Sequence, residues 1–240
     1  MHPRAMIVFT HIPKTAGTTF TGRMTGAIPA GQAYIVTGDF GHDGGLAKRG
    51  TSGLSLVGGH IRFPIAWPVI GPAIYVAAVR SPLDRILSQF FFSIRQGEFP
   101  IQGDDVRSEF DRYYDAVVRR QNWLNLQCQF FSADGTFDQA AGVIERHYTA
   151  VWDSEKTDQH FSTIVALCGL KASAADADVS AYAAPVSETD EALRTGARPK
   201  RYVDFLGSDQ RERVLRDNAE DARLYDWVRQ NGGLRARGAS

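Results

Sequence analysis

Short apolar runs recur along the first two thirds of the chain, separated by longer stretches in which apolar residues return at helical spacing. Residues 7–10, 34–37, 54–57 and 73–79 are rich in apolar and β-branched side chains, and turns that contain glycine or proline bound them. A further run lies at residues 150–152. Because these runs are apolar throughout rather than on one side, they predict strands of a sheet that is covered on both faces.

Helices are predicted between and after these strands. Residues 82–96 show the clearest pattern, because Ser81 can cap the first turn, Pro82 suits the first helical position and the apolar residues form one stripe. Further helices are predicted at residues 107–128, 137–148, 156–167 and 208–229. This alternation predicts an α/β fold of three layers, in which a central parallel sheet is flanked by helices.

Size and charge fit one domain over residues 1–240. A chain of 240 residues can bury a substantial core, and a single α/β domain accommodates it. Lys and Arg together number 27, and so do Asp and Glu, so no overall charge favours a nucleic-acid partner and any anion site must be built locally. No apolar run approaches the roughly 20 residues that span a bilayer, and we expect a cytoplasmic protein without a transmembrane segment.

Two segments and two cysteines add to this picture. Residues 171–201 are rich in Ala, Ser, Asp, Pro and Thr and lack a period, which predicts a lid or a flexible loop. The small and basic residues 234–240 predict a flexible tail. Cys128 and Cys168 lie far apart in apolar helical stretches, so we expect reduced and buried thiols.

A candidate anion-binding loop follows the first strand, in the segment His-Ile-Pro-Lys-Thr-Ala-Gly-Thr-Thr-Phe at residues 11–20. Backbone N–H groups at the helix start, the positive end of the helix dipole and the Lys14 charge would all face a phosphate-like group. The residues expected at this site are Lys14, Thr15, Ala16, Gly17, Thr18 and Thr19, with further donors in the threonine hydroxyls. We expect His11 to hold the loop by hydrogen bonding. The loop differs from the GxxxxGK[ST] motif, and a solvated lysine before an ordinary helix is the alternative.

A second candidate anion site lies where the strand at residues 73–79 ends. Arg80 follows that strand directly, and ligands of open parallel sheets bind at the carboxyl ends of strands, so Arg80 should face the same edge as Lys14. Ser88 shares a helical face with Asp84, and its hydroxyl could reach the same phosphate. The alternative is an ion pair of Arg80 with Asp84, with Ser88 facing water.

His60 is the best candidate for a general base. It follows the strand at residues 54–57 after two glycines, and an imidazole with a pKa near 6.5 accepts a hydroxyl proton at neutral pH. A structural histidine is the alternative. Arg62 is a weaker candidate for orienting an anionic acceptor. No two histidines have the spacing of a zinc site, so no metal site is expected.

Three of these segments together resemble the sulfotransferases related to heparan sulfate 2-O- and uronosyl 2-O-sulfotransferases, with their bacterial relatives. The resemblance is carried by residues 11–20, by Gly-His-Ile-Arg-Phe at 59–63 and by Ala-Val-Arg-Ser-Pro-Leu-Asp-Arg-Ile-Leu-Ser at 78–88. Weaker similarity lies at residues 125–127, 148–155 and 218–225. The resemblance spans most of the chain and implies the P-loop-NTPase-like sulfotransferase fold.

The resemblance also implies a reaction and a site. The co-substrate would be 3′-phosphoadenosine-5′-phosphosulfate (PAPS), the product 3′-phosphoadenosine-5′-phosphate (PAP), and the acceptor a hydroxyl of a saccharide or glycoconjugate, without a metal. Lys14 and its loop would hold the 5′-phosphosulfate and stabilise the departing phosphate during in-line transfer. Arg80 and Ser88 would hold the 3′-phosphate, His60 would be the base, and residues 152–155 would line the adenine.

Two other functions fit the same residues. An ATP-dependent P-loop-like kinase shares the strand, loop and helix, but it needs Mg²⁺, for which Asp39 and Asp153 are candidate ligands. A non-catalytic module that binds a nucleotide or a glycan is the third possibility, and it would leave the position of His60 without a purpose.

Overall fold

The computed structural model describes residues 5–36, 46, 48, 50–65, 69–170, 186–187, 198–199 and 205–236. The strands are β1 (Met6–Thr10), β2 (Ala33–Val36), β3 (Leu56–Gly59), β4 (Ala73–Val79), β5 (Tyr148–Asp153), β6 (Val186–Ser187), β7 (Arg198–Pro199) and β8 (Leu234–Ala236). The main sheet has the order β2-β3-β1-β4-β5-β8, with β1 to β5 parallel and β8 antiparallel to β5. Each predicted strand is present close to its predicted bounds.

The helices are α1 (Gly17–Gly26), α2 (Pro82–Arg95), α3 (Val106–Tyr113), α4 (Leu126–Phe131), α5 (Phe137–His147), α6 (Thr157–Leu167), α7 (Ser208–Asp217) and α8 (Ala219–Arg229). A π-helix, Tyr114–Arg119, continues α3, and a 3₁₀-helix, Ser154–Lys156, precedes α6. The helices predicted at residues 82–96, 137–148 and 156–167 are confirmed. The predicted cap of α2 is also present, because the Ser81 hydroxyl accepts the Asp84 N–H at 3.5 Å.

Apolar side chains cover the main sheet on both faces, which confirms the layered α/β fold. One face packs Phe9 and Trp152 against Phe20 of α1 and Phe161 of α6. The other face packs β4 and β5 against α4, α5 and α8, through residues such as Val79, Val151, Phe130, Ile144 and Leu224. With both faces covered, polar side chains that serve a function collect at the ends of the strands.

The helix predicted over residues 107–128 is interrupted. The π-helix ends at Arg119, and α4 begins only at Leu126. Between them, Asn122 and Asn125 adopt left-handed backbone conformations, with φ of 54° and 51°, which asparagine visits more readily than most residues. The prediction of one helix was wrong, because apolar spacing continues through a segment in which the two asparagines turn the chain.

The helix predicted over residues 208–229 is also two helices, α7 and α8. They meet at Asn218, whose φ of −117° and ψ of 38° are not helical. The Asn218 backbone N–H and its side-chain Nδ2 both donate to the Val214 carbonyl oxygen, at 3.1 and 2.9 Å. The side chain therefore helps to end α7 at a point where the sequence pattern alone continues.

Part of the predicted flexible tail is a strand. Gly232 and Gly233, with φ of 70° and 88°, turn the chain after α8, and residues 234–236 then pair with β5 as β8. The prediction of a flexible tail is therefore wrong for these residues, because their composition does not reveal that an open sheet edge lies beside them. The remainder of the tail, and most of the lid or loop predicted at residues 171–201, lie outside the described residues. The buried, free thiols predicted at the two cysteines are confirmed.

Candidate active site

Three neighbouring strands end at one edge of the sheet, and a candidate site residue follows each of them. In the order β3-β1-β4, His60 follows β3, the loop with Lys14 follows β1 and Arg80 follows β4. A backbone hydrogen bond ties the first two segments together, since the His11 N–H donates to the Gly59 carbonyl oxygen at 2.8 Å. The parallel register therefore brings the candidate base and both candidate anion sites to the same end of the sheet.

The loop between β1 and α1 has a backbone shape that suits an anion. Lys14 and Ala16 are left-handed, with φ of 68° and 58°, a conformation that costs roughly 1–2 kcal/mol for a residue with a side chain. Thr15 lies between them and is fully buried, and both its N–H and its hydroxyl donate to the Ile12 carbonyl oxygen, at 3.3 and 2.8 Å. Such alternation of backbone conformation directs neighbouring N–H groups to one side and forms an anion-binding concavity.

Thr15 therefore has a different task from the one expected of it. Its hydroxyl was expected to donate to the bound anion, but the hydroxyl and the N–H are both used to hold the turn. Thr18 and Thr19 remain as hydroxyl donors, because Thr18 is exposed and Thr19 is half-buried at the start of α1.

The first turn of α1 leaves its backbone N–H groups for a ligand. Ala16 is the N-cap residue, and no side chain caps the helix, so the N–H groups of the first turn have no partner within the helix. The aligned peptide dipoles add about half a positive charge at this end. The position of Gly17 is set by His11, whose ring fills the space in which a Cβ on Gly17 would lie. His11 thus holds the loop by packing against it, in addition to its backbone bond.

Arg80 lies against this loop. Its Nη1 donates to the Lys14 carbonyl oxygen at 3.3 Å, and its Nε is 4.0 Å from Glu155 Oε1. The residue is 9% exposed, so the guanidinium is held in a restricted position. The structure therefore brings Arg80 to Lys14, as a site for one ligand with two anionic groups requires.

Lys14 lies in a positive environment. Its Nζ is 4.1 Å from the centre of the Phe92 ring on α2. Burial, followed by repulsion from Arg95 and Arg80, lowers the pKa of Lys14 from 10.5 to about 8. A bound anion would offset the repulsion between Lys14 and the two arginines, so the site would be more stable with an anion bound than without one. Sequence reasoning did not single out Phe92, because one more aromatic residue in an apolar helix carries no signal.

His60 and His11 form a pair of neutral imidazoles. Their ring centres are 5.0 Å apart. Burial lowers the pKa of His60 below 6.5, and burial together with the neighbouring His60 and Lys14 lowers the pKa of His11 to about 3. Gly59 precedes His60 with a φ of 138°, and a Cβ there would overlap the Val36 carbonyl oxygen, so the position requires glycine. His60 is therefore unprotonated and able to accept a proton near neutral pH.

Ser88 lies on α2, the helix that follows Arg80, and Arg62 lies two residues beyond His60. Ser88 is half-buried on α2, one helical turn beyond Asp84 on the same face. Arg62 lies beside α4, where its Nη2 is 3.5 Å from Gln129 Oε1 and its guanidinium carbon is 5.6 Å from the centre of the Phe130 ring. Burial lowers the pKa of Arg62. Arg62 therefore packs against α4.

Asp153, one of the two candidate Mg²⁺ ligands, is bonded within the fold. Asp153 is 2% exposed; its Oδ1 accepts the Glu155 N–H at 3.0 Å and its Oδ2 accepts the Tyr225 hydroxyl at 3.1 Å. Both oxygens are thus used within the fold. Asp39 lies outside the described residues. Within the described ranges, His, Cys, Asp and Glu form no group that could hold a metal ion.

The arrangement defines a class of fold: three-layer α/β proteins in which a mostly parallel sheet is flanked by helices. Two solved sulfotransferases share it. Mouse sulfotransferase SULT7A1 complexed with PAP has a TM-score of 0.51 and 12% identity, over 95% of this chain and 87% of that chain. A sulfotransferase from Alicyclobacillus acidocaldarius has a TM-score of 0.52 and 16% identity, over 95% of this chain and 96% of that chain.

This likeness confirms the P-loop-like fold that sulfotransferases have. No protein-family model and no curated protein matches the sequence. No helix in the described part of the chain combines the length and the apolar character that crossing a bilayer requires.

Proposed function

We propose that this protein is a sulfotransferase that moves the sulfuryl group of PAPS to a hydroxyl group of an acceptor. The observation that carries the proposal is the contact of the Arg80 guanidinium with the Lys14 carbonyl oxygen, at 3.3 Å. It joins two cationic sites at the ends of neighbouring strands, as a nucleotide with two separate anionic groups needs. The similar fold of two sulfotransferases, one of them solved with PAP, supports the proposal.

Each anionic group of the nucleotide has its own set of contacts in this proposal. Lys14, the first-turn N–H groups of α1 and the Thr18 and Thr19 hydroxyls hold the 5′-phosphosulfate. Arg80 and Ser88 hold the 3′-phosphate. Thr15 acts on the same site by shaping the turn, and the backbone of Ala16 and Gly17 contributes N–H groups.

The transfer is in line. His60 takes the proton of the acceptor hydroxyl while the hydroxyl oxygen attacks sulfur, and the sulfur–oxygen bond to the 5′-phosphate breaks. Lys14 and the α1 N–H groups stabilise the negative charge that grows on the departing phosphate oxygen. No residue of the site is assigned to metal binding in this proposal.

The proposed acceptor site lies beside His60. A hydroxyl of a saccharide or glycoconjugate would approach from the side of His60. Arg62, which packs against α4, could there orient an anionic group of the acceptor. The resemblance to heparan sulfate 2-O- and uronosyl 2-O-sulfotransferases supports this acceptor class. Acceptor screening with the purified protein and PAPS tests it directly.

The decisive experiment compares nucleotides by thermal unfolding. PAP without metal should stabilise the protein, because a ligand present at a hundred times its Kd adds about 2.7 kcal/mol. ATP with Mg²⁺ should add far less. Arg80→Met should abolish the shift with PAP, whereas Arg216→Met, a matched change at a side chain that is 73% exposed, should leave it unchanged.

Other outcomes would favour the other functions. A larger shift with ATP and Mg²⁺ than with PAP would favour a kinase. A shift with PAP but no sulfuryl transfer to any acceptor tested would favour a binding module.

A further inference from the structure

The side chain of Gln127 forms hydrogen bonds with both backbone polar groups of Arg80. Arg80 lies one residue beyond the last pair of β4 with β5, at Val79 and Asp153, so its peptide groups leave the sheet. The Arg80 N–H donates to Gln127 Oε1 at 2.8 Å, and Gln127 Nε2 donates to the Arg80 carbonyl oxygen at 2.8 Å. Gln127 is fully buried. Its amide therefore extends the pairing of β4 by one residue.

Gln127 is itself fixed by a buried carboxylate. The Gln127 and Cys128 N–H groups, in the first turn of α4, donate to Asp221 Oδ2 and Oδ1 at 3.1 and 2.8 Å. Asp221 belongs to α8 and is fully buried. The side chain of Asp221 therefore caps α4, a helix that no residue of its own N-terminus caps.

The capping is reciprocal. Asn125 precedes α4, and its Oδ1 accepts the N–H groups of Glu220 and Asp221 in the first turn of α8, at 3.1 and 3.2 Å. The Asn125 N–H donates to Asn218 Oδ1 at 3.0 Å. The two helix starts thus cap each other. These residues lie in segments 125–127 and 218–225, for which sequence analysis found only a weak similarity.

A buried charge completes the connection to α2. Arg85 is 1% exposed, and electrostatic attraction links its guanidinium to the Asp221 carboxylate. Arg85 lies on α2, the helix that begins two residues after Arg80. Arg85 on α2 therefore faces the same carboxylate that fixes Gln127 on α4.

We propose that Gln127 is a positioning residue of the nucleotide site, which fixes the backbone of Arg80 and thereby aims its guanidinium at the 3′-phosphate. This proposal rests on the proposed function, because it needs Arg80 to contact that phosphate. Gln127 acts through Arg80 alone and contacts neither the 5′-phosphosulfate group nor the acceptor.

The test compares two nucleotides that differ at the 3′ position. Calorimetry measures the Kd of PAP and the Kd of adenosine 5′-phosphosulfate, which lacks the 3′-phosphate, for wild type and variants. Gln127→Met keeps the length of the side chain and removes its hydrogen bonds. It should weaken PAP binding about tenfold or more, the size of one well-placed charge-assisted contact, and leave the affinity for adenosine 5′-phosphosulfate unchanged.

A matched control is available in Gln210. Its amide also bonds to two backbone groups, accepting the Gly207 N–H at 3.1 Å and donating to the Arg107 carbonyl oxygen at 3.0 Å. Gln210→Met should leave both affinities unchanged. In an Arg80→Ala background, Gln127→Met should have no further effect on PAP binding, because the side chain that it positions is absent.

Three results would overturn the positioning role. They are an equal loss of affinity for both nucleotides, an unchanged preference for PAP, and a loss that persists without the Arg80 side chain. If Gln127→Met fails to fold, Gln127→Asn replaces it with the same expected loss, because it draws the amide back by one methylene. Failure of the proposed function is seen separately, as a wild-type protein that does not prefer PAP or an Arg80→Ala variant that keeps the preference.

Discussion

The ring of His11 occupies the space in which a side chain at position 17 would lie, so that a Cβ on Gly17 would overlap the ring atoms. The ring is fixed on its other side, because it stacks on Phe9 with ring centres 5.8 Å apart. It also faces His60. One imidazole thus sets the distance between the anion loop and the candidate base.

Gly17→Ala should therefore damage the site. The added methyl must displace the His11 ring or the loop, and overpacking of this kind costs about 1–3 kcal/mol. We expect a lower Tm and a loss of PAP binding, measured by thermal unfolding with and without PAP. The matched control is Gly142→Ala within α5, where the nearest atom to a Cβ is Arg146 Nη2 at 3.5 Å, and where alanine should raise stability by roughly 0.5–1 kcal/mol. Normal PAP binding by Gly17→Ala would contradict the close packing.

His60→Ala should abolish turnover and leave nucleotide binding intact. Loss of a general base typically lowers the rate by about 10²–10⁴, while the phosphate contacts are made by other residues. Single-turnover transfer from PAPS measures the first effect and calorimetry with PAP the second. His147→Ala, at an exposed histidine, should change neither. Turnover that survives in His60→Ala would remove this residue from the mechanism.

The pH dependence of turnover should show the lowered pKa of His60. A base is active when deprotonated, and burial holds the pKa of His60 in the ligand-free protein below 6.5, so kcat/KM, which reports the free enzyme, should fall only as the pH drops through a value below 6.5. His11 should contribute no step in this range, since its pKa is about 3. A pH–rate profile with the acidic limb above pH 6.5 would contradict the assignment.

Lys14→Met should bind PAP poorly and yet be more stable than the wild type without ligand. Burial and neighbouring cations lower the pKa of Lys14 to about 8 from 10.5, so its charge destabilises the empty folded state. That destabilisation is full below pH 8, shrinks as the pH rises from about 8 to 10.5, and is absent above it. Urea unfolding of both proteins at several pH values measures the difference. A wild type that is the more stable of the two at pH 7 would contradict this reasoning.

Removal of residues 234–240 should destabilise the fold. β8 covers the outer edge of β5, Leu234 packs beside the core of that face, and the Arg235 guanidinium carbon lies 3.4 Å from the centre of the Trp227 ring. We expect a loss of about 1–3 kcal/mol in urea unfolding. Removal of residues 237–240 alone leaves β8 in place and should cost little. Equal stability of both truncated proteins would show that β8 does not contribute.

The sheet and the positions of its polar ends could be predicted from the sequence. The strands could be recognised as uniformly apolar runs, and the runs end at His11, His60 and Arg80. Because parallel strands bring their carboxyl ends to one edge, these three residues could be placed together. The breaks at Asn122, Asn125 and Asn218 were missed, since asparagine is tolerated within helical patterns and its effect depends on partners distant in sequence.

The supporting residues of the site were beyond sequence reasoning for the same reason. Gln127 was part of a weak similarity, but a glutamine that bonds to the backbone of Arg80 across 47 positions leaves no local pattern. Asp221 reads as an ordinary acidic residue in the first turn of a helix. Thr15 was expected to face a ligand, as its neighbours in the sequence were. The left-handed residues on either side, Lys14 and Ala16, turn its side chain inward.

The mutual capping of α4 and α8 has a consequence for how the chain is made. Gln127 and Asp221 are 94 positions apart, so a nascent chain that has left the ribosome only as far as β5 contains α4 without the carboxylate that caps it. The hydrogen bonds that run from Asp221 through Gln127 to Arg80 are complete only when α8 has emerged and packed against α4. The proposed nucleotide site is therefore complete only after α8 has been made, later than the strands β1 to β5 that carry it.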